Sequence, residues 1–198
     1  MRRFLKIIYT LLIHPIISIN LILHGNRFFV INKRCKINNI KYVKFGKNFS
    51  IGTDSRFLLV DSYCSKTYAP SLIIKDNVTC GNRVSFLCAT NTTIESNCLI
   101  ASDVIFTNEN HGMNPELSDS YASTPLETKE IHIGEGCWIG EKSTILPGVS
   151  LGKRCIVAAG SVVTKSFGDY ILLGGIPAKP MKYYDFECHE WRKYNYEK

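Results

Sequence analysis

From residue 45 onward, apolar side chains return every six positions. Ile133, Ile139, Ile145, Leu151, Val157 and Val163 make one unbroken series. Ile74, Cys80 and Phe86, then Ile94, Ile100 and Phe106, then Phe45, Ile51 and Phe57 make shorter ones. A period of six does not match the 3.6-residue repeat of a helix stripe. The fifth position of each hexad is small or apolar, as at Val78, Val84, Cys98, Val104, Cys137, Ser143, Val149, Cys155 and Ser161. Glycine holds the second position at 134, 140 and 152, where a tight corner is expected. Each hexad predicts a short strand and a turn, and three hexads predict one triangular coil. Ile133 then stacks on Leu151, Ile139 on Val157 and Ile145 on Val163. Such a solenoid buries a narrow core and gains its stability from neighbouring coils.

The period fails in three places, and loops and function collect at such breaks. Residues 58–73 are an insertion of mixed character, and Thr92-Thr93 lengthens one hexad. The large break runs from Thr107 to His132, polar and turn-rich, with Asp119, Ser120 and Pro125 within it. His111 stands at its start, in Asn108-Glu109-Asn110-His111-Gly112. Histidine has the near-neutral pKa that a general base requires, although a histidine in a polar loop is more often merely exposed. His132 reads as a surface residue by register.

The first 31 residues follow a different rule. Phe4, Ile7, Ile8, Leu11 and Leu12 recur at helical spacing behind Arg2, Arg3 and Lys6, and the apolar run resumes from Pro15 to Leu23. His14, Pro15, Ser18 and Asn20 make it marginal as a spanning helix. His24-Gly25-Asn26-Arg27 is no small-residue cleavage site. Two readings remain, an interfacial helix with its basic residues among headgroups or a helix packed on the domain or on a partner copy.

Charge adds to that question. The chain of 198 residues has 24 Lys and Arg against 17 Asp and Glu, yet its first acidic residue is Asp54. Residues 1–53 therefore carry +10 and the remainder −3. An anionic partner, either a membrane surface or a phosphorylated substrate, explains the split, and so does a solvated basic arm. Hydrophobic content of 45% excludes a disordered chain. The eight cysteines lack CxxC or zinc spacing, and four of them fall at repeat positions, so they read as free packed thiols in a reducing compartment.

These hexads resemble the hexapeptide-repeat acyltransferases, and among them the maltose, galactoside and surface-polysaccharide O-acetyltransferases, over roughly residues 70–182. The resemblance implies an all-β fold, a left-handed parallel β-helix that acts as a homotrimer. The expected organisation is an N-terminal helical segment (1–40), the β-helix (41–167) with a protruding loop (107–132), and a C-terminal signature with a short helical tail (168–198). It also implies acetyl-CoA as co-substrate, and His111 as the base, because the family places its catalytic histidine at this loop entry. Trp138, outward at a sixth position, and Ala159, Thr164 and Lys165 of Ala158-Ala159-Gly160-Ser161-Val162-Val163-Thr164-Lys165 are the implied coenzyme contacts. Lys179 in Gly174-Gly175-Ile176-Pro177-Ala178-Lys179 completes them. No metal and no nucleic-acid partner is implied; the zinc enzymes of this fold need three histidines, and the repeats offer two.

The acceptor is where the sequence departs from the galactoside and maltose enzymes. Gly81, with Asn82 beside it, stands where they place an asparagine, no acidic residue precedes Asp54, and Glu141 replaces a small residue. The expected acceptor is thus a sugar or lipid-linked glycan precursor of a surface polysaccharide, handled in the cytoplasm at the inner face of a bacterial membrane through residues 1–31. A small soluble acceptor, or a non-catalytic β-helix acting as a binding module, are the alternatives.

Overall fold

Strands of two to four residues, longer only at Ile171–Gly175 and Ala178–Asp185 at the C-terminal end, follow one another around three faces of a prism. The computed structural model describes residues 2–26, 29–116 and 120–195, the side chains of Arg2, Arg3, Phe4 and Lys6 excepted, so Arg27 and Asp119 lie outside the described residues. Helices α1 (Arg2–Ile13) and α2 (Pro15–Leu23) come first. Coil 1 is β1 (Val30–Ile31), β2 (Lys36–Ile37) and β3 (Val43–Phe45). Coil 2 is β4 (Ser50–Ile51) and β5 (Arg56–Leu59), then a hairpin of β6 (Ser62–Tyr63) and β7 (Lys66–Thr67), then β8 (Ser71–Ile74). Coil 3 is β9 (Thr79–Cys80), β10 (Ser85–Cys88) and β11 (Asn91–Ile94). Coil 4 is β12 (Leu99–Ile100) and β13 (Ile105–Thr107), then a hairpin of β14 (Glu109–His111) and β15 (Leu126–Thr128), then β16 (Ile131–Ile133). Coil 5 is β17 (Trp138–Ile139), β18 (Thr144–Ile145) and β19 (Ser150–Leu151). Coil 6 is β20 (Ile156–Val157) and β21 (Val162–Val163), followed by β22 (Ile171–Gly175), β23 (Ala178–Asp185) and β24 (Glu190–Lys193).

Three parallel sheets result. Sheet A stacks β1, β4, β9, β12, β17, β20 and β22; sheet B stacks β2, β5, β10, β13, β18 and β21; sheet C stacks β3, β8, β11, β16 and β19. The expected register holds, with Ile133 opposite Leu151, Ile139 opposite Val157 and Ile145 opposite Val163. First and fifth hexad positions line the interior, and every one named above is buried. In sheet B the rings of Phe57, Phe86 and Phe106 stack at centroid distances of 5.2 and 5.0 Å. The prism runs from Val30, paired with Ser50, to Leu173, paired with Val157, so it extends past the boundaries expected at residues 41 and 167.

Two expectations need correction. The C-terminal tail is an antiparallel meander of β22, β23 and β24 instead of a helix. Pro177 and Pro180 cannot sit inside a helix, and Tyr183, Tyr184 and Trp191 favour strands. The second-position glycines are also not the sharp turns. Gly134, Gly140 and Gly152 have no positive φ among the described backbone angles; a Cβ on Gly140 would lie 2.6 Å from the Ala159 nitrogen of the next coil. Close stacking of coils demands glycine there. The left-handed corner positions fall to Asn48, Asn77 and Asn97 on one edge and to Arg34, Asp54, Arg83, Asp103 and Lys142 on another. Side-chain ladders stabilise both edges: Asn48 donates to Asn77 at 2.8 Å, Asn77 to Asn97 at 3.0 Å, Arg34 pairs with Asp54 and Arg83 with Asp103.

Candidate active site

The two hairpin insertions fall on the edge between sheets B and C, β6–β7 leaving it in coil 2 and β14–β15 in coil 4. The lengthened hexad of coil 3 adds its extra residues there as well, at Ala89 and Thr90, since Thr92 and Thr93 lie within β11 of sheet C. His111 is the last residue of β14, opposite Leu126 across the hairpin, and it is exposed.

Asn108 pins the base of that hairpin. It is fully buried, its Oδ1 accepts from the Ala89 N–H at 2.8 Å, and its Nδ2 donates to the Thr90 carbonyl at 2.8 Å and to Thr92 Oγ1 at 2.9 Å. The coil-2 insertion holds the top. Tyr68 Oη accepts from the Leu126 N–H at 2.6 Å, gripping the residue directly across from His111. The Tyr63 ring meets the His111 imidazole edge to face at 5.4 Å, and its hydroxyl donates to the Ala122 carbonyl. Desolvation, then Cys64 and Glu109, push the Tyr63 phenol above its ordinary pKa, so it is a neutral donor at pH 7. No carboxylate bonds to the His111 ring among the described residues; the aromatic contact fixes it. Distal to His111, the single Thr124 hydroxyl proton is shared between the Tyr121 carbonyl, 2.7 Å away, and the Gly112 carbonyl, 3.0 Å away.

The other expected site residues divide into two groups. Thr164 and Lys165 share the edge of His111: Thr107, Leu146 and Thr164 each follow a sheet B residue of the register Phe106–Ile145–Val163. Two coil steps of about 4.8 Å separate Thr107 from Thr164. Both Thr164 and Lys165 are exposed. Ala159 and Lys179 sit on a different edge, between sheets A and B. There the Gly175 N–H donates to Ser161 Oγ at 3.2 Å, and Gly174 lies opposite Lys179, so the two C-terminal motifs meet.

Trp138 stands on the outer face of sheet A, half exposed. It lines a groove of about 380 Å³ with Arg154, Ile156, Tyr170, Tyr184, Phe186 and Trp191. Further along sheet A, a polar cleft of about 550 Å³ is lined by Asn32, Asn48, Ser50, Asn77, Thr79, Gly81 and Asn82. His132 is exposed, with Nε2 3.5 Å from a Glu95 oxygen, as a surface residue.

Comparison with known proteins fixes the family. The family described as bacterial transferase hexapeptide (six repeats) matches residues 130–165. A protein of Escherichia coli described as "Putative lipopolysaccharide biosynthesis O-acetyl transferase WbbJ" is 33% identical over 171 residues, 83% of this chain and 83% of its own length. The chain belongs to the hexapeptide-repeat acetyltransferases. A galactoside O-acetyltransferase of Lactococcus lactis is 28% identical across 76% of this chain and 60% of its own. Among solved structures, a hexapeptide-repeat acetyltransferase of Vibrio cholerae complexed with acetyl coenzyme A superposes with a TM-score of 0.59 at 20% identity. It covers 84% of this chain and 74% of that one. A galactoside acetyltransferase in complex with coenzyme A gives 0.56 at 20% identity, over 79% of this chain and 66% of that one. The protein is thus an acyltransferase built on the fold these enzymes share.

Tyr63, Tyr68 and Asn108 are the site residues that the sequence did not single out. For Tyr63 and Tyr68 the sequence signal was the broken period of residues 58–73, an insertion that reaches a second insertion on the same edge; for Asn108 it was the start of the break at Thr107.

Proposed function

We propose that this acetyltransferase moves the acetyl group of acetyl-CoA onto a sugar hydroxyl of a surface-polysaccharide precursor, with His111 as general base. The observation that carries this reading is the convergence of two insertions on one exposed histidine. An imidazole nitrogen takes the hydroxyl proton as the oxygen attacks the thioester carbonyl, the C–S bond breaks, and the proton passes to the departing thiolate. Backbone N–H groups at the prism edge stabilise the oxyanion. General-base help of this kind contributes about 10²–10⁴-fold.

Coenzyme A is held by Trp138, Ala159, Thr164, Lys165 and Lys179. These residues occupy different sides of one prism, so one copy does not gather them around His111. A homotrimer of left-handed coils, as the family resemblance implies, brings the edge of one copy against sheet A of the next. The polar cleft at Gly81 and Asn82 supports a hydroxyl-rich acceptor, since its asparagine, serine and threonine side chains offer both donors and acceptors. The reaction belongs to the cytoplasmic side of a bacterial membrane, where the expected acceptors are built.

The test is thiol release from acetyl-CoA in the presence of free sugars, sugar nucleotides and lipid-linked oligosaccharides. Transfer to at least one carbohydrate is expected. Absence of coenzyme A binding at millimolar concentration would overturn the reading in favour of a binding module.

A further inference from the structure

Helices α1 and α2 lie on coil 1 with apolar side chains on both faces, Leu21 and Ile17 against the core and a second set outward. On the prism side Thr10 and Ser18 are buried. The Ile31 N–H donates to Thr10 Oγ1 at 3.2 Å, Ser18 Oγ donates to the Thr10 carbonyl at 3.4 Å, and His14 Nε2 lies 2.8 Å from the Asn32 carbonyl. Leu21 is the one large apolar side chain of the pair that is fully buried among those described. On the opposite side Leu5, Ile8, Leu12, Ile16, Ile19 and Leu23 are all exposed, Leu12, Ile16 and Leu23 by 74 to 76%. Their spacing of three or four residues continues through Pro15, so they form one stripe along both helices. A helix facing water carries polar side chains on its outer side, and a continuous apolar patch of this kind marks an interaction surface.

Charge identifies the occupant. Residues 1–53 hold ten Lys and Arg and no acid. Lys33, Lys36, Lys44 and Lys47 of coil 1 are exposed, and among the described residues no carboxylate lies within 4.0 Å of them. Lys33 Nζ lies 6.0 Å from the ring centre of Tyr9 on α1. A second copy docked through the same face would bring these cations against one another. An anionic headgroup layer over an apolar interior satisfies both the stripe and its basic flank. Neither helix is long and apolar enough to cross a bilayer. We propose that α1 and α2 lie in the plane of an anionic membrane, with the Leu5–Leu23 stripe sunk among the acyl chains of one leaflet.

This inference does not rest on the acetyl transfer, so each fails separately. The test is co-sedimentation of the full chain with phosphatidylcholine vesicles, with and without phosphatidylglycerol, at low and high salt. The comparison is a variant carrying Leu12→Glu, Ile16→Glu and Leu23→Glu, three side chains that make little of the core. The native chain should pellet with anionic vesicles at low salt, stay largely in solution with phosphatidylcholine alone, and be partly released by salt, which screens surface charge. The variant should stay in solution with an unchanged melting temperature. Equal pelleting of the two chains, or a native chain that stays in solution with anionic vesicles at low salt, overturns the proposal. In the second case, a native assembly larger than the variant's on sizing would assign the stripe to contact between copies.

Discussion

Tyr63 sets its ring against the His111 imidazole, with centroids 5.4 Å apart and planes inclined at 61°. The two residues come from insertions in different coils, so the contact ties one protruding hairpin to the other. Tyr63→Ala removes both the ring contact and the hydroxyl bond to Ala122. It should lower kcat about tenfold by letting His111, the proposed base, drift from its geometry, with little change in the KM for acetyl-CoA. Tyr63→Phe keeps the ring and should keep most of the rate. Steady-state kinetics of both variants checks this; equal losses would mean that the hydroxyl bond, and not the ring, positions the imidazole.

Asn108→Ala strips the buried hairpin base of its partners. The buried Ala89 N–H is left unsatisfied, at a cost of about 1–3 kcal/mol, while the Thr90 carbonyl keeps the Ser71 N–H as its donor. Denaturant unfolding should show a loss of about 1–3 kcal/mol. An unchanged midpoint would show that the hairpin is held by the tyrosines alone.

Acid should weaken the edge between sheets A and B. The Arg34 guanidinium hydrogen-bonded to Asp54, and that of Arg83 to Asp103, hold both carboxyls below their ordinary pKa. A carboxyl with a depressed folded pKa adds stability above its unfolded value, near 3.8, and loses that stability as the pH falls through the folded one. Melting temperatures of the native chain and of an Arg34→Gln, Arg83→Gln variant should differ at pH 7 and converge below pH 4. A constant gap would contradict the pairing.

The thiols divide by burial. All eight cysteines are free, and only Cys64 and Cys188 are exposed. Burial pushes the Cys88 thiol up to about 12 and raises Cys80 further. A thiol reagent should label Cys64 and Cys188 in the native chain and all eight after denaturation, read by mass spectrometry. Rapid native labelling of Cys80 or Cys88 would contradict the packed interior.

Repeat and register were legible because hexad spacing acts through nearest-neighbour stacking, which a one-dimensional pattern records fully. Cys137 and Cys155 could be assigned to the interior from spacing alone. The tail was less legible, since β23 is held by pairing with β22 and by aromatic contacts such as Tyr184 with Trp191, which no local period announces. His111 was singled out by the family resemblance at a break in the period, and it stands exposed at the end of β14. Tyr63 was not singled out, because its partner lies 48 residues away and the two meet only when the coils stack. The polarity of α1 and α2 was also hidden: their hydrophobicity was plain, but which face meets coil 1 depends on Thr10, His14 and Ser18 finding backbone partners there.

In the proposed reaction His111 removes the acceptor proton. The most direct measurement is the rate of acetyl transfer by His111→Ala, alongside its melting temperature and its affinity for coenzyme A. A fall in kcat of about 10²–10⁴-fold with both other quantities unchanged is expected, because His111 is exposed, its ring makes no hydrogen bond among the described residues, and the Tyr63–Ala122 and Tyr68–Leu126 bonds still join the two hairpins. A variant that retains the native rate would contradict that role.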